Sequence, residues 1–73
     1  MGFEVGLLGA GFIAPFHVRA LSRIPGVRLA WVCDADRKKA DALAAGIPGA
    51  KATGSLDAML AGKPDVVHVL LPP

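Results

Sequence analysis

The sequence predicts an α/β fold, a three-layer αβα half-domain whose parallel sheet has the strand order 3-2-1-4. Three observations carry this reading. Short apolar runs alternate with stretches of helical periodicity along all 73 residues. The first such run ends in a glycine-rich turn that opens directly into a helical segment. The composition, 53% hydrophobic against 19% charged, excludes disorder and asks for strands buried on both faces.

Each element has its own signal. Phe3 to Leu8 is an apolar run too short for a buried helix and reads as a strand. Ile13, Phe16, His17, Ala20, Leu21 and Ile24 then recur at intervals of three and four, with Arg19, Ser22 and Arg23 between them. That spacing puts the apolar set on one face of a helix. Pro15 falls in its first turn, where no backbone bond is lost, and Pro25-Gly26 stops it. Val27 to Cys33 is a second strand. Asp36 caps a second helix from Arg37 to Ala45 that packs Ala40, Leu43 and Ala44 and ends at Gly46. Ala50 to Thr53 reads as a short third strand. Ser55 caps a brief helix with Leu56, Met59 and Leu60 turned inward, closed by Gly62 and Pro64. Val66 to Leu71 is the most strand-like run of all, and Pro72-Pro73 ends it. A β-α-β-α-β-α-β order requires parallel strands with right-handed crossovers, and so helices on both faces of the sheet.

Composition also narrows function. With net charge +2, one Trp, three Phe and no Tyr, there is little to bind or stack nucleic acid. The apolar stretch from Val5 to Ala14 is too short to span a bilayer and follows Glu4 rather than a basic segment, so no membrane partner is expected. Cys33 is the only cysteine, which rules out an internal disulfide and suggests a reducing cytoplasm. Cys33, His17 and His68 are too scattered to suggest zinc. A core this small generally needs a further staple, which leaves association.

Gly9-Ala10-Gly11-Phe12-Ile13-Ala14 is a G-x-G-x-x-A fingerprint set between a strand and an amphipathic helix. Gly9 allows the tight turn, Gly11 lets a pyrophosphate approach the backbone, and Ala14 lets helix and strand pack closely. Free N–H groups and the positive end of the helix dipole then face the phosphates. Asp34 stands twenty residues after Ala14, at the end of the second strand, where a carboxylate accepts hydrogen bonds from the ribose hydroxyls. The expected cofactor is NAD, bound by Gly9, Ala10, Gly11, Phe12, Ile13 and Asp34. Arg37, with Lys38 just beyond, leaves NADP possible through a 2′-phosphate. Alternative readings are a solvated helix face for Arg37, Lys38 and Lys39, and a structural role for His17. His68 is expected to be a satisfied buried or edge histidine, and Cys33 a buried inert thiol.

These residues resemble the Gfo/Idh/MocA oxidoreductases, which join an N-terminal Rossmann domain to a C-terminal α/β domain and act on sugars and related polyols. The resemblance covers the whole chain. It runs from Val5-Gly6-Leu7-Leu8-Gly9-Ala10-Gly11-Phe12-Ile13-Ala14 to His17 and Ala20-Leu21, then through Val32-Cys33-Asp34-Ala35-Asp36. It continues in Leu56-Asp57-Ala58-Met59-Leu60 and Pro64-Asp65-Val66-Val67, and on through the strand to Pro72. The resemblance implies an NAD(P)-dependent enzyme acting on CH–OH groups. Two departures bear on activity. Leu70-Leu71 stands where the family favours small residues or Thr. The sequence also reaches Pro73 without the histidine that usually follows, or the later Glu-Lys-Pro segment whose lysine is implicated in catalysis. The resemblance thus implies the first half of a Rossmann domain, residues 1–73, without its substrate domain and catalytically inactive alone, so no catalytic residue is assigned.

In the strand order 3-2-1-4 the run Val66 to Leu71 lies at an edge, and an apolar edge is a template for pairing. The sequence therefore predicts a homodimer through Val66 to Leu71. The competing reading is a self-associating structural fragment whose glycine loop is a relic.

Overall fold

Strands form where apolar and β-branched residues run together, and helices form behind a capping or glycine-rich turn. The computed structural model describes residues 2–71. Over them the chain runs β1 (Phe3–Leu8), α1 (Ala14–Ser22), β2 (Val27–Cys33), α2 (Arg37–Ala45), β3 (Lys51–Thr53), α3 (Leu56–Ala61) and β4 (Val66–Val69). Pro72 and Pro73, expected to end the last strand, lie outside the described residues. The four strands pair in parallel in the order β3-β2-β1-β4, as the alternation predicts.

The layers follow from which side chains meet. Val5, Leu7, Leu29 and Val32 face one side of the sheet and cluster with Ala40, Ala44 and Ile47 of α2 and the turn after it. Val18 and Leu21 of α1 pack against the same cluster. On the opposite side, Gly6 leaves the space that Met59 of α3 fills: a Cβ there would come within 2.7 Å of the methionine sulfur. Trp31 shares that side, its ring lying against Gly62 at the end of α3. Leu7, Val32 and Met59 are the largest fully buried side chains. Each contributes about 2 kcal/mol of burial, so the core sits under β1 and β2 rather than at either sheet edge.

Asp36 accepts a hydrogen bond from the Lys38 N–H at 3.1 Å, and Ser55 accepts one from the Ala58 N–H at 3.2 Å, so the expected caps of α2 and α3 are in place. The start of α1 has no side-chain cap: Ile13 stands at its N-cap position and Pro15 follows in the first turn.

Several expectations need correction. The apolar set Ile13, Phe16, Ala20 and Ile24 does not face the sheet. Ala14 is the buried residue of α1, Val18 and Leu21 are partly buried against the core, and Ile13, Phe16 and Ile24 are exposed. α1 carries two apolar stripes, and only the one with the smaller residues packs inward. In α3 only Met59 is buried, while Leu56 and Leu60 stay exposed because a helix of this length meets the sheet at one residue. β4 is not covered on both faces, since Val66 and Val69 are exposed. Among the described residues β4 pairs only with β1. His68 is not satisfied: its Nδ1 is buried and has no hydrogen-bond partner.

Candidate nucleotide-binding cleft

β1, β2 and β4 all end at one rim of the sheet, and strand order reverses between β1 and β4. In an open parallel sheet the crevice at this reversal is where ligands bind. A cleft of about 520 Å³ opens there, lined by Gly9, Gly11, Phe12, Ile13, Asp34, Lys39, Leu70 and Leu71.

The turn out of β1 is fixed at both ends. The Gly9 N–H donates to the Cys33 carbonyl at 2.7 Å, and the Ala10 N–H donates to Asp34 Oδ2 at 2.8 Å. Gly9 has φ +110°, and a Cβ there would meet the Leu70 carbonyl group at 3.0 Å. Gly11 differs: a Cβ on it would meet nothing within 4 Å, because it faces the open cleft. Among the described residues the N–H groups of Gly11, Phe12 and Ile13 make no hydrogen bond. Three consecutive free donors thus stand at the uncapped N-terminus of α1, where the helix dipole adds positive potential.

Asp34 closes the other wall. Its Oδ2 takes the Ala10 N–H and its Oδ1 takes the Asp36 N–H at 2.8 Å, which leaves each oxygen able to accept a further bond on a residue that lines the cleft. These two backbone donors, Ala10 first, hold the carboxyl below the usual carboxylate range, and the charge of Lys39 adds to the effect. The group is ionised at neutral pH.

The expected residues Gly9, Gly11, Phe12, Ile13 and Asp34 therefore converge on one cleft, with Ala10 behind them as the donor to Asp34. Arg37 does not line it. Its guanidinium is paired with Asp41 at 3.0 Å, one turn along α2, with both side chains exposed. Lys39 takes that place, a residue the sequence reading left on a solvated face. The signal was available: Asp36 caps α2, which puts Lys39 in the first turn, and helical side chains lean toward the N-terminus. The contribution of Leu70 and Leu71 depends on where β4 ends, and it had no local signal. His17 and His68 stand outside the cleft with their rings edge to face at 5.7 Å.

Cys33 lies just behind Asp34, 2% exposed. Burial pushes its thiol pKa up, and the neighbouring Asp34 carboxylate pushes the same way. The thiolate is the reactive species. In the native protein Cys33 is therefore expected to react with a disulfide reagent at least about a hundredfold more slowly than in denaturant. Equal rates, followed spectrophotometrically, would show that the thiol is accessible.

A doubly wound parallel sheet, a glycine turn with free donors and a carboxylate at the end of the second strand define a Rossmann-type dinucleotide-binding fold. The chain belongs to the Gfo/Idh/MocA oxidoreductase family: residues 3–73 match its model, described as an oxidoreductase family with an NAD-binding Rossmann fold. It is 33% identical over 69 residues to an inositol 2-dehydrogenase of Cereibacter sphaeroides, covering 92% of this chain and 21% of the relative. Among solved structures it resembles GenD2 from gentamicin A biosynthesis in complex with NAD, with a TM-score of 0.88 and 35% identity over 97% of this chain and 20% of that one. It also resembles the WlbA dehydrogenase from Bordetella pertussis in complex with NADH and UDP-GlcNAcA, with a TM-score of 0.87 and 30% identity, covering 97% of this chain and 21% of that one. The chain thus spans about a fifth of the length of these relatives. Among the described residues no helix is long and apolar enough to cross a membrane, and no three His, Cys, Asp or Glu residues are grouped to hold a metal.

Proposed function

We propose that these residues bind a nicotinamide dinucleotide, with NAD preferred. The observation that carries this is the row of unpartnered N–H groups from Gly11 to Ile13, open to a cleft whose far wall is the Asp34 carboxylate. The donors suit a pyrophosphate, and the free lone pairs of Asp34 suit the ribose hydroxyls of the adenosine half. Gly11 keeps the approach clear. Asp34 opposes a 2′-phosphate. Lys39 is better placed than Arg37 to meet one, and on this reading it is why NADP is still admitted.

Bound NAD(P) supplies the hydride acceptor or donor, and the chain's own residues bind and orient it. In a longer protein of this family the reaction would be oxidation or reduction at CH–OH groups of sugars or polyols. The inositol 2-dehydrogenase relative and the WlbA dehydrogenase, solved in complex with NADH and UDP-GlcNAcA, support that substrate class. On this reading the 73 residues bind the cofactor, and none of them is assigned a catalytic role. The ionisable side chains lining the cleft are Asp34 and Lys39, both at the adenosine end, and neither is placed for proton transfer at a substrate. The single buried thiol suits a reducing cytoplasm. Self-association through the open edge of β4 belongs to the same reading, supported by the exposed Val66, Val69 and Leu71.

Titration with NAD, NADP and AMP, followed by backbone amide NMR, tests the proposal. Saturable shifts are expected at Gly11 to Ile13 and Asp34, larger for NAD than for NADP. Gly11→Val should abolish them while the folded spectrum persists, since its side chain enters open space. A folded wild-type chain without shifts at millimolar nucleotide would make the loop a relic, leaving a structural fragment.

A further inference from the structure

Arg37 stands where its side chain is expected to lean toward the cleft, and it runs the other way. It is the first residue of α2, directly after the Asp36 cap, and the Asp36 N–H donates to Asp34 Oδ1 at 2.8 Å. Consecutive Cα atoms lie about 3.8 Å apart, so the Arg37 backbone starts one residue step from a bond to the cleft carboxylate. Helical side chains lean toward the N-terminus, which here is the cleft end of α2. The guanidinium instead reaches one turn toward the C-terminus, where its Nε donates to Asp41 Oδ1 at 3.0 Å.

Helix stability does not account for that pair. Its side chains are 61% and 57% exposed, and such a pair contributes little in water. An acid ahead of a base is the favourable order at i, i+4, and here the base comes first. The first turn of α2 holds Arg37, Lys38 and Lys39 and no acidic residue, at the end where the helix dipole disfavours cations. α2 packs on β2 and β3, so the pair stands clear of β4 and its open edge. What the pair does change is the charge at the cleft. With Arg37 drawn off, Lys39 is the one basic residue that lines the cleft with Asp34 among the described residues.

We propose that Asp41 is a specificity-determining residue for the nucleotide, acting by holding Arg37 away from the Asp34 end of the cleft. The proposal rests on the dinucleotide reading above and deepens it. The ionised Asp34 repels a 2′-phosphate. A guanidinium offsets this best, since it neutralises a neighbouring carboxylate and offers phosphate two parallel N–H bonds, where Lys39 supplies a point charge. Asp41 competes for that guanidinium and so favours the nucleotide without the extra phosphate. Released, Arg37 has two carboxylates close by toward the cleft, Asp36 and Asp34. Asp36 is engaged in its cap, with Oδ1 accepting the Lys38 N–H, which leaves Asp34 as the partner.

Amide NMR titrations of the full chain with NAD and NADP test this, at low ionic strength where exposed charges are least screened. Asp41→Asn is expected to strengthen NADP binding about threefold and to leave NAD within a factor of about 1.5, the size an exposed ion pair allows. Arg37→Gln alone should leave both nucleotides near wild type, because the guanidinium is already withheld. Combined with Asp41→Asn it should cancel the NADP gain. Asp41→Glu, which keeps a carboxylate for Arg37, should retain the wild-type ratio. Both sites are exposed, and the amide spectrum confirms the fold of each variant. A gain that survives in the double variant would come from the lost carboxylate charge alone and overturn the role of Arg37. Weaker NADP binding in Arg37→Gln alone would mean that Arg37 already reaches the phosphate, which overturns the proposal. An unchanged NADP to NAD ratio in Asp41→Asn, with NAD still bound, overturns it too and leaves the dinucleotide reading standing. A folded wild type that binds neither nucleotide would overturn both.

Discussion

Gly9→Ala is expected to lower the stability of this chain by about 3 kcal/mol, a large part of what a domain of its size has to lose. The backbone at Gly9 has φ +110°, which an L side chain rarely adopts, and the Leu70 carbonyl group would lie 3.0 Å from the new Cβ. Neither problem is easily relieved. Rotating φ breaks the Gly9 N–H bond to Cys33, and moving Leu70 disturbs its own N–H bond to the Leu8 carbonyl at 2.8 Å, which holds β4 beside β1. Gly11→Ala is the control, since a Cβ there meets nothing and is expected to shift stability by less than about 0.5 kcal/mol. Urea unfolding followed by circular dichroism measures both. If Gly9→Ala unfolds at the wild-type midpoint, the turn can relax and its glycine is there for the ligand, as Gly11 is.

That contrast shows what the sequence could reveal. The fingerprint Gly9-Ala10-Gly11-Phe12-Ile13-Ala14 was legible as a unit because its glycines stand between a strand pattern and a helix pattern. Element order and strand order followed from the alternation of apolar runs and capped helices, which is local information. What lay beyond reach depended on the third dimension. The stripe Ile13, Phe16, Ala20 and Ile24 has the right period for a core face, and the better one by residue size. It stays outside because α1 must bring Ala14 down against β1 to start where the loop ends, and that turns Val18 and Leu21 inward with it. Periodicity says that a face exists and not which of two faces the chain entry selects. The exchange of Arg37 for Lys39 at the cleft has a similar origin. An i, i+4 partner, Asp41, takes Arg37, the first basic residue along the helix, and Lys39, the third, is the one that lines the cleft with Asp34. The reach of Asp34 to Ala10 spans 24 positions and is set by the parallel pairing of β1 with β2, so spacing alone suggests a ribose ligand and misses the latch.

The latch makes Asp34→Asn the second large effect. An asparagine keeps one acceptor oxygen and turns an amide toward the other donor, so either the Ala10 or the Asp36 N–H loses its partner. The expected loss is about 2 kcal/mol near neutral pH. The carboxyl is held below its ordinary value in the folded state by those same donors. The unfolded chain therefore binds the proton more tightly, and the stability Asp34 contributes is fully present above the ordinary aspartate pKa of about 3.9. It is lost as pH falls through the lower folded value. Urea unfolding from about pH 2 to pH 8 should show wild type and variant apart on the neutral side and converging in acid. A difference that does not change with pH would mean that the side chain acts through packing rather than charge. Binding should follow the same logic. With Ala10 released, the free donors from Gly11 to Ile13 lose their fixed direction, so Asp34→Asn should weaken inorganic pyrophosphate as well as NAD, although pyrophosphate has no ribose to contact. If NAD weakens and pyrophosphate does not, Asp34 acts on the ribose alone and the turn holds its shape without it.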